Sequence, residues 1–220
     1  MSDIASQPSR ALPQPVLIHQ VEVQHRQVAF TFDDGPNPIY TPQVLEMFRE
    51  VGGKATFYMI GEQMKAHPEL TRQVFEAGHE IGNHTFTHPA LPDLSPADQR
   101  DQLVRTEKLV QQITGQPCRT FRPPYIAINE QVLDLAVSLG YHSIGCVNGE
   151  ARDWEMPGTE HIVKATLETS TSGSILLFHD GYGDRSQTIA AVRELTRHFA
   201  AEGFGLVTVS ELLAGAMQRH

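Results

Sequence analysis

Two adjacent acids, Asp33 and Asp34, stand in the stretch VAFTFDDGPNP (28–38), directly after a β-rich apolar run. Neighbouring carboxylates repel when both are ionised, and burial raises that cost. A strand end that carries both should therefore face positive charge. A second stretch, HTFTHP, offers His84 and His88 four positions apart. On one helical turn such residues share a face, so both imidazoles would reach one ion. Two His and one carboxylate make a three-ligand set with a coordination position left for water, the arrangement of a catalytic zinc site. On this reading one of Asp33 and Asp34 binds the metal, and the other stays beside it as general base for an attacking water.

Three further segments bear on the same chemistry. In FRPPY, Arg122 can pair with the carboxylate that is not on the metal. The prolines Pro123 and Pro124 stiffen the backbone, so that a following N–H is aimed as an oxyanion donor. In SILLFHD, His179 closes a very apolar run and can protonate a leaving group. Asp153 is a carboxylate that would orient it and raise its pKa. Trp154, the single tryptophan, would wall a small apolar pocket with Leu177. His67, His79, His142, His161, His198 and His220 fall in no such pattern and read as surface or structural residues.

These groups must be positioned by elements, and the chain supplies an alternating series. Runs of β character are VAFTF, ATFYMI, HEIGNH, RTFRPP, YHSIGC, SILLFH and FGLVTV. Between them lie segments of helical spacing, among them TPQVLEMFREVG, EQMKAHPELTRQVFEAG (one helix, with His67 in its middle) and SPADQRDQLVRTEKLVQQITG; SELLAGAM ends the series. Thr41-Pro42 and Ser95-Pro96 read as N-caps followed by proline at the first helical position. Strands alternating with helices predict βαβ units and a parallel sheet, and about seven units favour a closed or nearly closed barrel over an open doubly wound sheet. In such barrels chemistry gathers at the C-terminal strand ends, where the acids, the histidines and Arg122 all fall.

Residues 1–25 read as an N-terminal tail or lead-in, 26–214 as one catalytic domain and 215–220 as a short C-terminal tail. The 220 residues carry a net charge of −9 with histidine neutral and contain no Lys/Arg cluster, which disfavours nucleic acid as a partner. No apolar run reaches the roughly 18 residues of a membrane span, and no secretory signal is visible at the N-terminus. Cys118 and Cys146 lack zinc-type spacing and read as free thiols, with a disulfide between them as the alternative.

TFDDGP, HTFTHP, FRPPY, EARDW and LLFHD, in this order across residues 26–214, resemble the signature segments of the polysaccharide deacetylase family, also called carbohydrate esterase family 4 or the NodB homology domain. The resemblance implies an α/β fold, a distorted seven-stranded (β/α) barrel. It implies Asp33 as catalytic base held by Arg122, and Asp34, His84 and His88 as ligands of a divalent metal, Zn2+ first, with Co2+ or Ni2+ fitting the same donors. It further implies an oxyanion N–H from Tyr125, His179 as general acid tuned by Asp153, and an acetyl pocket of Trp154, Leu177 and Pro124. The implied substrate is an acetylated glycan, above all N-acetylglucosamine units in chitin or peptidoglycan-like polymers. O-acetylated xylan, small amides or ureides on the same site, and a non-catalytic glycan-binding module are the alternatives. Family habit points to an envelope or secreted setting. The sequence departs from the family at Ile126, Val147 and Glu150, where glycine, tryptophan and aspartate are usual; these positions bear on the groove wall.

Overall fold

The computed structural model describes residues 14–217. Seven strands follow one another in the order β1-β6-β5-β4-β3-β2-β7, and β8 pairs with β2 off this path. They are β1 (Leu17–Ile18), β2 (Gln27–Asp33), β3 (Thr56–Met59), β4 (Glu80–Asn83), β5 (Thr120–Phe121), β6 (His142–Ile144), β7 (Ile175–His179) and β8 (Gly205–Leu206). All their pairings are parallel. The sheet curls into a distorted barrel. Its two ends are bridged by the segment after β1: Ile175 N–H donates to His19 O, Val21 N–H to Gly173 O, and Gln20 pairs antiparallel with Ser174.

Helices α1 (Thr41–Val51), α2 (Gly61–Ala66), α3 (Pro68–Glu76), α4 (Pro96–Thr114), α5 (Glu130–Ser138), α6 (Thr159–Thr169), α7 (Ser186–Ala201) and α8 (Val209–Met217) complete the chain, with 3-10 turns between several of them. Strand β2 shows how the sequence builds two faces. Val28, Phe30 and Phe32 join the main outer core, where Phe30 stacks on Phe178 and Phe32 on Phe57 at centroid distances of 5.6 and 5.2 Å. The alternate residues point inward. Ala29 joins a second cluster with Tyr58, Ile144, Ile175 and the α8 residues Val209, Leu212 and Leu213, which closes the bottom of the barrel. Thr31 and Asp33 continue that inward row toward the top. Both faces are buried, which is why the strands read as near-continuous apolar runs.

The elements differ from the sequence reading in four places. EQMKAHPELTRQVFEAG is two helices: Pro68 cannot continue α2, so His67 lies at the junction and Pro68 opens α3. Thr41 is the first residue of α1 and Tyr40 the N-cap, while the Thr41 hydroxyl is used elsewhere. Ser95 does cap α4, accepting from Asp98 N–H. FGLVTV yields only the two residues of β8, because Val209 already begins α8; the seventh strand of the path is β1, from the segment read as lead-in. Cys118 and Cys146 are unpaired. Among the described residues no helix is long and apolar enough to cross a membrane. Residues 1–13 and 218–220 of the two tails lie outside the described residues.

Candidate active site

Strand register brings the titratable residues to one mouth. Asp33 ends β2 and lies level with His179 at the end of β7 on one side and Tyr58 of β3 on the other. His84 follows β4, and Arg122 follows β5.

Arg122 is fully buried and fills the upper barrel. Its guanidinium donates to Asp33 Oδ1 at 2.8 Å, to Gly145 O at 2.7 Å, to Ile144 O at 3.3 Å and to Thr31 Oγ1. It also lies 4.4 Å above the centroid of the Tyr58 ring. A buried guanidinium needs this many partners to offset its lost hydration. Thr31 donates its own proton to Leu176 O, which leaves its lone pairs for Arg122. Gly82 leaves the room for Tyr58, since a Cβ there would sit 2.4 Å from the ring.

The two histidines do not share a helical turn as their spacing suggested. They lie on a loop in which Thr85 and His88 take left-handed backbone, φ 66° and 61°. The loop is held by its own side chains and its neighbours. Asn83 Oδ1 accepts from Thr85 N–H, Thr85 Oγ1 accepts from His88 N–H, and Gln102 Oε1 accepts from Phe86 and Thr87 N–H. His84 Nδ1–H donates to Arg122 O at 2.7 Å, which turns Nε2 toward the mouth. Each of Asp34, His84 and His88 offers a ligand atom, and the three atoms lie within 4.8 Å of one another. Asp34 Oδ1 is 3.5 Å from His84 Nε2 and 3.1 Å from His88 Nε2. It is nevertheless buried without a satisfactory hydrogen bond. An unpaired buried carboxylate oxygen faced by two ring nitrogens is a donor set that fits a divalent cation.

Asp34 also has left-handed backbone, φ 74°, imposed by close packing. Gly181 runs so near that a Cβ on it would lie 2.0 Å from Asp34 O. Asp180 and Gly181 N–H both donate to Asp33 O. The buried Asp180 carboxyl accepts from Thr41 Oγ1–H and packs on Gly35, and burial pushes it up to about 7.

On the far side, His179 Nδ1–H donates to Asp153 Oδ1 at 2.8 Å, while Asp153 Oδ2 accepts from His179 N–H and from Thr188 Oγ1–H. Burial alone would lower the imidazole, but the Asp153 carboxylate outweighs it, with Asp33 and Asp34 adding to the effect, and His179 rises to about 9. Trp154 stands edge-on to His179 at 5.5 Å, 43% exposed. Leu177 is buried two residues below His179 on the same face of β7, clamped at N–H and C=O by the Asn148 amide. Pro124 is buried and opens the turn that carries Tyr125. The backbone bonds of that turn run from Ile126 to Pro123 and from Ala127 to Pro124, so the Tyr125 N–H is not used within it.

Every residue named from the sequence as a catalytic, ligand or pocket candidate lies at this mouth or in the barrel just beneath it. Thr31, Tyr58 and Asp180 were missed. Thr31 had a signal, because it shares the inward face of β2 with Asp33; Tyr58 and Asp180 had none outside their spatial neighbours.

Known proteins of similar sequence and fold point to one family. The family model described as polysaccharide deacetylase matches residues 20–144. A peptidoglycan-N-acetylglucosamine deacetylase of Bacillus cereus is 40% identical over 195 residues, covering 88% of this chain and 91% of that protein. A chitooligosaccharide deacetylase of Azorhizobium caulinodans is 38% identical over 81% of this chain and 90% of its own length. The crystal structure of a peptidoglycan N-acetylglucosamine deacetylase in complex with 4-naphthalen-1-yl-N-oxidanyl-benzamide matches with a TM-score of 0.84 at 28% identity, covering 88% of this chain and 91% of that one. A carbohydrate esterase family 4 pseudoenzyme from Bacillus anthracis matches with a TM-score of 0.83 at 26% identity, covering 91% and 69%. The chain belongs to the polysaccharide deacetylase family, the NodB-homology hydrolases of carbohydrate esterase family 4, which act on amide bonds of acetylated glycans.

Proposed function

We propose that this protein removes N-acetyl groups from N-acetylglucosamine units of a glycan, with a divalent cation held by Asp34, His84 and His88. The observation that carries the reading is the unpaired, buried Asp34 Oδ1 with two imidazole nitrogens turned toward it. Zinc suits two nitrogens and one oxygen, and Co2+ or Ni2+ would accept the same donors. Such a cation would polarise the acetyl carbonyl and acidify the attacking water.

The chain's own groups do the rest. Asp33 is fixed through Oδ1 by Arg122, so Oδ2 is the atom that takes the proton as water oxygen bonds to the acyl carbon. The Tyr125 N–H donates to the oxygen that gains charge. His179, protonated at neutral pH, gives its Nε2 proton to the amide nitrogen as the C–N bond breaks. The products are acetate and a free amine. Trp154, Leu177 and Pro124 would line the side of the site that takes the acyl methyl.

Likeness of fold does not decide activity, since a pseudoenzyme shares it; what supports the reading is that candidate base, acid and ligands stand together at one mouth. The test is acetate release from acetylated glucosamine oligomers, acetylated xylan and small N-acyl compounds, with and without chelator. Chelator-sensitive release from the glucosamine oligomers is expected. Release unaffected by chelator, or confined to xylan or the small amides, overturns the reading.

A further inference from the structure

Among the described residues five large apolar side chains stand exposed: Val16, Ile39, Tyr125, Trp154 and Tyr182. The last four all lie on loops that leave the C-terminal strand ends. Single exposed aromatics need no explanation, but their concentration around one mouth does. Tyr125 is 71% exposed and its ring lies edge-on to His88 at 4.8 Å. Tyr182 is 45% exposed and its ring is also edge-on to His88, at 6.1 Å. The two tyrosines thus stand together on the His88 side of the site, while Trp154 stands on the His179 side.

Tyr182 is not on a loose loop. Its neighbour Gly181 donates to Asp33 O and is packed against Asp34, and the buried Arg185 donates through Nε to Gly181 O at 2.7 Å. Beyond it, Asp184 Oδ1 accepts from Tyr40 Oη–H at 3.0 Å and from Ser186 N–H. Tyr182 itself is in left-handed backbone, φ 48°, with Gly183 beside it at φ 63°. A bulky side chain in that region is strained, and glycine would sit there at no steric cost. Its ring meets His88 edge-on and its hydroxyl bonds to the Gln63 side chain, yet nearly half of the residue stays exposed over strained backbone; strain of this kind gathers at ligand clamps.

We infer that Tyr182, with the Tyr125 ring beside it, is a stacking platform for a second sugar ring of the substrate. This rests on the deacetylase reading and deepens it. The acyl slot grips one acetyl group, whereas the two tyrosine faces lie outside it, on the opposite side from Trp154. A pyranose ring offers an apolar C–H face of the right size for such a surface, and hydrogen bonds to its edge can remain in water.

The experiment compares Tyr182→Ala, Tyr182→Phe and Tyr182→Gly with the wild type on N-acetylglucosamine oligomers of one to four rings. In the wild type KM falls as the second ring is added. With Tyr182→Ala, KM for the tetramer rises about five- to tenfold, as expected for one lost aromatic contact, with kcat within about twofold. Tyr182→Phe keeps the wild-type KM. Tyr182→Gly shows the same loss of affinity with an unchanged Tm, which a merely structural role would not allow. Calorimetric titration of the tetramer into protein held in chelator reads affinity independently of turnover. If the tetramer binds and Tyr182→Ala weakens it while no variant releases acetate, the platform stands and the catalytic reading fails. Equal affinity of wild type and Tyr182→Ala for the tetramer, or no binding by the wild type, overturns the platform.

Discussion

Replacing Asp153 by asparagine removes the charge that holds the His179 proton and leaves the shape almost unchanged. The Asp153 oxygen lies 2.8 Å from Nδ1, in a setting where Asp153 is buried and the imidazole nearly so. With charge centres roughly 4 Å apart and an effective dielectric of about 20, their attraction is about 4 kcal/mol, or roughly three pKa units. Burial opposes it, and the balance in the wild type is about 9. Without the carboxylate, His179 should fall to about 6.5 or below. At pH 8 the protonated fraction then drops from about nine-tenths to a few hundredths, so kcat for acetate release should fall roughly thirtyfold. At pH 6 the two enzymes should differ much less. The assay is the pH profile of kcat on an acetylated tetramer, in which the alkaline limb moves from near 9 to near 6.5. An unmoved limb, or an equal loss at every pH, refutes the assigned acid. The same pair bears on stability. The folded pKa lies above the unfolded value of about 6.5, so the stabilisation is fully present below pH 6.5 and fades as pH rises through about 9. Its size is on the order of 3 kcal/mol, and Asp153→Asn should lose that pH dependence in denaturant melts.

Asp33→Asn should lower acetate release by at least about a hundredfold while elemental analysis finds the metal still bound; wild-type rates in this variant would remove Asp33 as the base. His84→Ala should instead lose the metal on dialysis, and retention of a full equivalent would contradict the ligand set. Thr31→Val deprives buried Arg122 of one acceptor and should destabilise the protein by about 1–3 kcal/mol in urea melts, with kcat falling more than KM because Asp33 loses its fixed position. Gly181→Ala puts a Cβ where Asp34 O lies and should depress both Tm and metal content; an unperturbed Tm would show that the loop has slack.

The placement of a candidate residue was legible where it follows a β-rich run, because a strand end in a parallel barrel has only one place to be. Asp33, Arg122 and His179 are of this kind. What lay beyond reach was loop geometry. His84 and His88 converge through two left-handed residues, Thr85 and His88, neither of which is glycine, so no sequence signal marks the turn. Thr41 looked like a cap because threonine before proline usually is one; its hydroxyl is instead committed to Asp180, 139 positions away in sequence. LI at 17–18 is too short to announce a strand, and it became one only because the β6 edge needed a neighbour. FGLVTV carries β-branched Val207, Thr208 and Val209, yet none of them joins the strand, and Val209 opens α8 so that it and Leu212 can plug the barrel floor. Tertiary need overrode local preference in both cases.

The stitch between His19–Val21 and Gly173–Ile175 joins stretches that synthesis produces about 150 residues apart. The sheet cannot become a ring until β7 has been made, so a partly translated chain keeps two open borders ready to pair with other molecules. Sealing this seam should be among the last events of folding, and clipping the first 22 residues should leave a protein that still brings Asp34, His84 and His88 together yet clumps as it folds.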